Sequence, residues 1–239
     1  MLKKGTEAHK NKDFIRAESD LREALRLYQE IEHETGPANT QEVLGKLLLE
    51  TNRLEEAKQV LQQALSTYTK HDFQAAQAFV LMDLGMIETN MAQYDAAENN
   101  YNEALEQLEG LNGDAEEEIV TVLIALGKVA WKKGDLPEAR KRMLTALKRT
   151  RTASLKTKEL EALNELGEIN MLIEDANQAL GCFGDALTLA RTLNDRAAEA
   201  LALENLARAT HLSGDKSRAF EHLEEASRLY AQLDDDNGN

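Results

Sequence analysis

Residues 123–146 read Leu-Ile-Ala-Leu-Gly-Lys-Val-Ala-Trp-Lys-Lys-Gly-Asp-Leu-Pro-Glu-Ala-Arg-Lys-Arg-Met-Leu-Thr-Ala. Leu123 and Leu126 precede Gly127 by four and one residues, the spacing of one helical face. After the glycine come Ala139 at twelve residues, Met143 at sixteen and Ala146 at nineteen. Between the two apolar patterns lie Gly134 and Asp135, which break a helix and cap the next, with Pro137 in a first turn. The stretch therefore predicts helix, tight turn, helix.

The same order recurs along the chain. Gly5, Gly45, Gly85, Gly127 and Gly167, with Ala207 as a sixth member, are spaced by 40, 40, 42, 40 and 40 residues. Twelve residues after each comes an alanine: Ala17, Ala57, Ala97, Ala139, Ala179 and Ala219. A large apolar residue follows four later (Leu21, Leu61, Tyr101, Met143, Phe183, Leu223), then another alanine three beyond that (Ala24, Ala64, Ala104, Ala146, Ala186, Ala226). Glycine in a helix costs up to ~1 kcal/mol relative to alanine, so its recurrence on the leucine stripe predicts a close helix approach, with the alanines as the matching shallow surface. A second turn signal, Gly214-Asp215, stands at the corresponding place in the sixth repeat.

Composition agrees with an all-α chain. Of 239 residues 42% are apolar and 5% aromatic, with two prolines, which argues against disorder and against an all-β fold. No run reaches the roughly 18 apolar residues of a membrane span, and the first residues lack a signal-peptide core, so the expectation is a cytoplasmic protein without membrane insertion. Cys182 has no second cysteine to pair with. A net charge of −15 disfavours general affinity for nucleic acid.

The order glycine, alanine, large apolar residue, alanine resembles the tetratricopeptide repeat (TPR) family, seen as Gly85, Ala97, Tyr101, Ala104 and again as Gly167, Ala179, Phe183, Ala186. The match spans residues 1–233 as a single array of six units, leaving 234–239 as a polar acidic tail. The family's tryptophan and proline are absent and the period is 40 rather than about 34, which predicts longer helices. The resemblance implies a right-handed superhelical solenoid of six antiparallel helix pairs with a peptide-binding concave face. It also implies a non-catalytic protein-interaction scaffold, or alternatively a peptide-sensing regulatory domain that controls an output module or partner. The carboxylate-clamp subtype does not fit, because Leu2 and Thr6 stand where its lysine and asparagine belong. Leu223, Ala226 and Tyr230 run into an acidic end without a polar cap, which predicts either a longer chain or pairing with another copy.

A search for chemistry returns no enzyme, metal site or cofactor site. His9, His33, His71, His211 and His222 are scattered, and no phosphate-cradling glycine loop exists. The Glu116–Glu118 run reads as a helix-start cluster, and Cys182 beside Phe183 as core. A phosphatase-type TPR protein would need a positioned Gln or Asp and a further helical domain, neither identifiable.

The family's groove corresponds to the side of each first helix opposite the leucine stripe. It collects Asn39, Glu42, Val43 and Lys46; Phe79, Met82, Asp83, Met86 and Asn90; Thr121, Ile124 and Lys128, with Trp131 at the flank; Glu161, Asn164, Glu165 and Glu168; and Glu204, Asn205 and Arg208. Phe79, Met82, Met86 and Ile124 are apolar where a merely soluble helix is polar, so they predict a binding site for an apolar anchor. Glu161, Glu165 and Glu168 predict basic flanking residues in the partner. The alternative is that neighbouring repeats cover these side chains. From Lys128 to Lys158 the local charge is +9. Arg140, Lys141, Arg142, Lys148, Arg149 and Arg151 are read as an outward basic patch, either solvated or docking an acidic partner, with nucleic acid ranked last.

Overall fold

The computed structural model describes residues 1–111 and 115–237. Among them the fold is all helix, in twelve elements. These are α1 (Leu2–Lys10), α2 (Phe14–Glu30), α3 (Gly36–Glu50), α4 (Leu54–Lys70), α5 (Gln74–Asn90) and α6 (Tyr94–Glu109). Then follow α7 (Glu116–Lys132), α8 (Leu136–Ala153), α9 (Lys156–Leu172), α10 (Ala176–Leu193), α11 (Arg196–Leu212) and α12 (Lys216–Asn237). The chain divides into two compact units, Met1–Ala115 and Glu116–Asn239. In each, every helix packs on the next, and odd-numbered helices touch one another: α1 with α3, α3 with α5, and α7 with α9. Each unit is thus a stack of three helix pairs. Helix α12 runs past Leu233 into the stretch assigned from sequence to a tail.

The ladder glycines do mark close approaches, but the surface they meet is not the one predicted. A Cβ at Gly5, Gly85 or Gly127 would lie 2.8 Å from a side-chain atom of Leu21, Tyr101 or Met143, and one at Gly45 or Gly167 would overlap Leu61 or Phe183. The large residue sixteen positions on fills each glycine hole, while the alanines beside it are buried elsewhere on the second helix. A large side chain reaches across the interface where an alanine methyl cannot. In the sixth pair the buried Ala207 stands in the glycine's place, and Leu223 is 48% exposed although its counterparts are buried.

One turn geometry joins the helices. Lys12, Glu32, Asn52, Asp72, Ala92, Ser154, Glu174 and Asn194 have φ between 51° and 61°, and Gly134 and Gly214 lie at 84° and 95°. These left-handed residues fall every 20 positions within each unit. Each is followed by an N–H that bonds the carbonyl five residues back, as in Arg53 to Leu48 at 2.8 Å and Asp175 to Asn170 at 2.9 Å, the Schellman closure. The carboxylates of Asp13, Asp135, Asp175, Asp195 and Asp215 cap the next helix by accepting from the N–H three residues on. A 40-residue repeat is therefore two helices of about 17 residues and two three-residue joints.

Candidate functional site

In the first unit the predicted face belongs to α3 and α5. Lys46 Nζ donates to Glu42 Oε1 at 2.7 Å and stands 3.8 Å from Asp83 Oδ2. The Tyr68 hydroxyl reaches across from α4, 3.0 Å from Asn39 Oδ1 and 2.9 Å from Glu42 Oε2. Burial pushes the Asp83 carboxyl up to about 6 against the pull of Lys46, with Glu42 adding to the rise. Because this folded value exceeds the ordinary 3.8, the stability Asp83 contributes is full below about pH 4 and is lost as pH rises through about 6. Beside this polar cluster, Phe79 is 39% and Met86 43% exposed, with Met82 half-buried between them and Asn90 exposed one turn on.

In the second unit the same face carries ion pairs, with Leu172, Leu201 and Leu212 exposed beside them. Lys128 Nζ lies 3.1 Å from Glu161 Oε1 and 2.9 Å from Glu165 Oε1. Burial opposes it, but Lys128 and Lys158 hold Glu161 below the usual carboxylate range. Arg208 pairs with Glu168 at 2.6 Å and also donates to the buried Asn205. The predicted acidic stretch is thus matched by cations from the helices on either side. Lys46 with Asp83 and Lys128 with Glu165 are the same stitch: a cation one residue after a ladder glycine meets an acid two residues before the next. At that cation's place α5 carries Met86.

One further expectation is corrected here. Ile124 is 2% exposed, so it belongs to the core and not to an apolar patch. Thr121, Asn164 and Trp131 are only partly exposed, and the Lys132 ammonium lies 5.8 Å from the Trp131 ring centre. A helical projection gives an angle about one axis and says nothing of what lies over it. The basic patch is exposed at Lys141, Lys148 and Arg151, with most of its cations paired to acids. Arg149 bonds Glu116 through two nitrogens, Nε at 2.6 Å and Nη2 at 2.8 Å. Arg142 and Lys141 take Glu138, Arg151 takes Glu159 and Asp185, and Arg140 faces Asp175. Counting charge along 128–158 missed acids that the neighbouring helices bring to those cations; Lys148 is exposed.

The sequence reading overlooked Tyr68. Its signal is the recurrence of tyrosine at one repeat position, Tyr28, Tyr68 and Tyr230. The Tyr230 hydroxyl lies 3.1 Å from Glu204, 26 residues back, as Tyr68 does from Glu42. Also unforeseen is a 630 Å³ pocket lined by Leu2, Lys3, Thr6, Glu7, Lys10 and Tyr28.

A polar slot between neighbouring pairs occurs twice. In the first unit Lys58 pairs with the buried Glu88 at 2.9 Å, and Asn100 donates to the other Glu88 oxygen at 2.7 Å. The equivalent residues of the second unit are Arg140, Asn170 and Cys182. There Asn170 donates to Cys182 Sγ at 3.6 Å, while Asn170 Oδ1 and Arg140 Nε have no partner. Burial pushes the Cys182 thiol up, against reactivity. Among the described residues no group of His, Cys, Asp or Glu is placed to hold a metal ion, and no helix is long and apolar enough to cross a membrane.

Among solved structures, BtubC (BKLC) from P. vanneervenii superposes with a TM-score of 0.80 at 17% identity, over 92% of this chain and 92% of that one. A Rap protein complexed with Competence and Sporulation Factor gives 0.68 at 17% identity, over 97% of this chain and 72% of the other. PH0952 from Pyrococcus horikoshii, a STAND protein with a tetratricopeptide repeat sensor, gives 0.83 at 16% identity, over 95% of this chain and 35% of its own. Identities this low show a shared fold alone. A search of curated protein sequences finds no match. The tetratricopeptide repeat profile matches residues 4–70, 75–152 and 158–232. With its glycine ladder filled repeat by repeat and its helices paired throughout, the chain belongs to the tetratricopeptide repeat family, whose members serve generally as non-catalytic interaction scaffolds.

Proposed function

We propose that the protein is an interaction module that captures a partner segment by an apolar anchor on α5. The carrying observation is that Phe79 and Met86 lie exposed on one face of α5, with Met86 at the repeat position where α3 carries the paired Lys46. Neighbouring apolar side chains left open to water are where burial yields most, and such clusters dominate binding energy. Glu161, Glu165 and Glu168 already have cationic partners, so the segment needs no basic residues beside its anchor.

A photo-crosslinking amino acid at Met86 identifies the segment, and calorimetry then measures its affinity. Phe79→Asp and Met86→Asp are each expected to weaken it by about tenfold or more, the loss of one buried apolar side chain, with helicity retained. Unchanged affinity in both variants rejects the reading. A peptide-sensing regulatory role is the second reading, favoured by the likeness to a Rap protein solved with Competence and Sporulation Factor and to a STAND protein with a repeat sensor. A rise in melting temperature with short peptides supports sensing; binding of a folded partner without any peptide response supports the scaffold.

A further inference from the structure

Asp83 stands one helical turn after Phe79 and one turn before Met86, so a side chain that bridges those two residues passes over it. Its Oδ2 is buried without a hydrogen-bond partner. The nearest cation, Lys46, is 3.8 Å away, beyond hydrogen-bond reach, and is already committed to Glu42 at 2.7 Å. The groups that face this carboxylate are few. Helix α3 brings Lys46 and Glu42. Helix α4 brings Tyr68, whose hydroxyl is taken by Asn39 and Glu42. Helix α6 brings Tyr101, whose phenol is pushed up to about 12, chiefly by burial, with Asp83 and Glu88 adding to the rise. Glu88 lies farther along α5 and is paired with Lys58.

We propose that capture of an apolar side chain across Phe79 and Met86 is coupled to uptake of one proton by Asp83, so that the site binds more tightly in mildly acidic than in neutral solution. The proposal rests on α5 being the binding face. An apolar side chain laid there removes the remaining water from Asp83, which penalises the carboxylate but not the carboxylic acid. A carboxyl already raised to about 6 needs little more to take the proton near neutrality. Once protonated it has a hydrogen to donate and no buried charge to compensate. Lys46 keeps Glu42 as its partner in both states, so the switch removes one negative charge without stranding an ammonium.

The test uses the full chain and Nile red, an uncharged apolar dye, with the Phe79→Ser/Met86→Ser double variant as the reference for dye bound elsewhere. The site-specific Kd is expected to fall about three- to tenfold between pH 7.5 and pH 5.5, within the limit for one linked proton. Asp83→Asn is expected to hold the acidic-side value at every pH. A flat wild-type profile, a slope of opposite sign, or an Asp83→Asn slope equal to the wild type overturns the coupling and leaves the binding face standing. No difference between wild type and double variant at any pH overturns the binding face, and the coupling with it. The Asp83 carboxyl resonance of the unmodified protein gives a reading that needs no variant: its titration midpoint should rise on saturation with dye, and an unmoved midpoint overturns the coupling.

Discussion

At the scale of single residues the ladder glycines carry the fold, and each does so through one partner. Replacing Gly45 by alanine gains up to ~1 kcal/mol of helix propensity but places a methyl inside the contact radius of the Leu61 side chain. Overpacking of this kind costs about 1–3 kcal/mol, so Gly45→Ala is expected to be destabilising, by about 1–2 kcal/mol in urea unfolding. Adding Leu61→Ala should not restore the loss, because it leaves a cavity in the buried core. The position of every ladder glycine was legible from its spacing. What it faced was not, since recurrence reports that room is short without naming the atom that takes it. The same limit explains Ile124: its place on a helical face could be computed, but the chain packed over it could not.

Elements show a different division. Two of the ten described joints announce themselves in the sequence as Gly-Asp, at 134–135 and 214–215. The other eight hold left-handed residues as unlike as Lys12, Ala92 and Asn194, because packing of the helices on either side imposes the conformation over local preference. Many charge pairs between elements were likewise invisible, being made across helices by residues 30 or more apart, such as Arg149 with Glu116 and Arg208 with Glu168. The polar slot supplies a prediction at this scale. Asn170→Glu with Cys182→Asn copies the complete arrangement of Glu88 and Asn100 and gives the unbonded Arg140 Nε an acceptor; the expected gain is about 1 kcal/mol in unfolding free energy. Lys58→Met makes the reverse change, leaving Glu88 buried without its cation, and is expected to cost about 3 kcal/mol. A stability unchanged in both variants would mean that the slots contribute only shape.

Within each unit contacts are local: a helix touches the next one, and α1 with α3, α3 with α5 and α7 with α9 touch as next but one. Stability in such an array is close to a sum over neighbours. Gly45→Ala should therefore speed amide hydrogen exchange in α3, α4 and the helices packed on them, while α9 to α12 keep their wild-type protection. Uniform acceleration along the chain would contradict that local summation. The net charge of −15 also takes a different meaning at this scale. Its basic portion, +9 over residues 128–158, is largely returned to acids on adjacent helices, so the charge surplus is read better from pairs in space than from runs along the chain.

The left-handed residue that closes each helix recurs every 20 positions within a unit, so the joint inside a pair and the joint between pairs have one geometry. A segment excised at one joint and rejoined at another 40 residues away meets the backbone direction it left. Tandem duplication can then lengthen such a gene product by whole pairs with no new loop to be selected, and recombination between copies can shorten it by the same quantum.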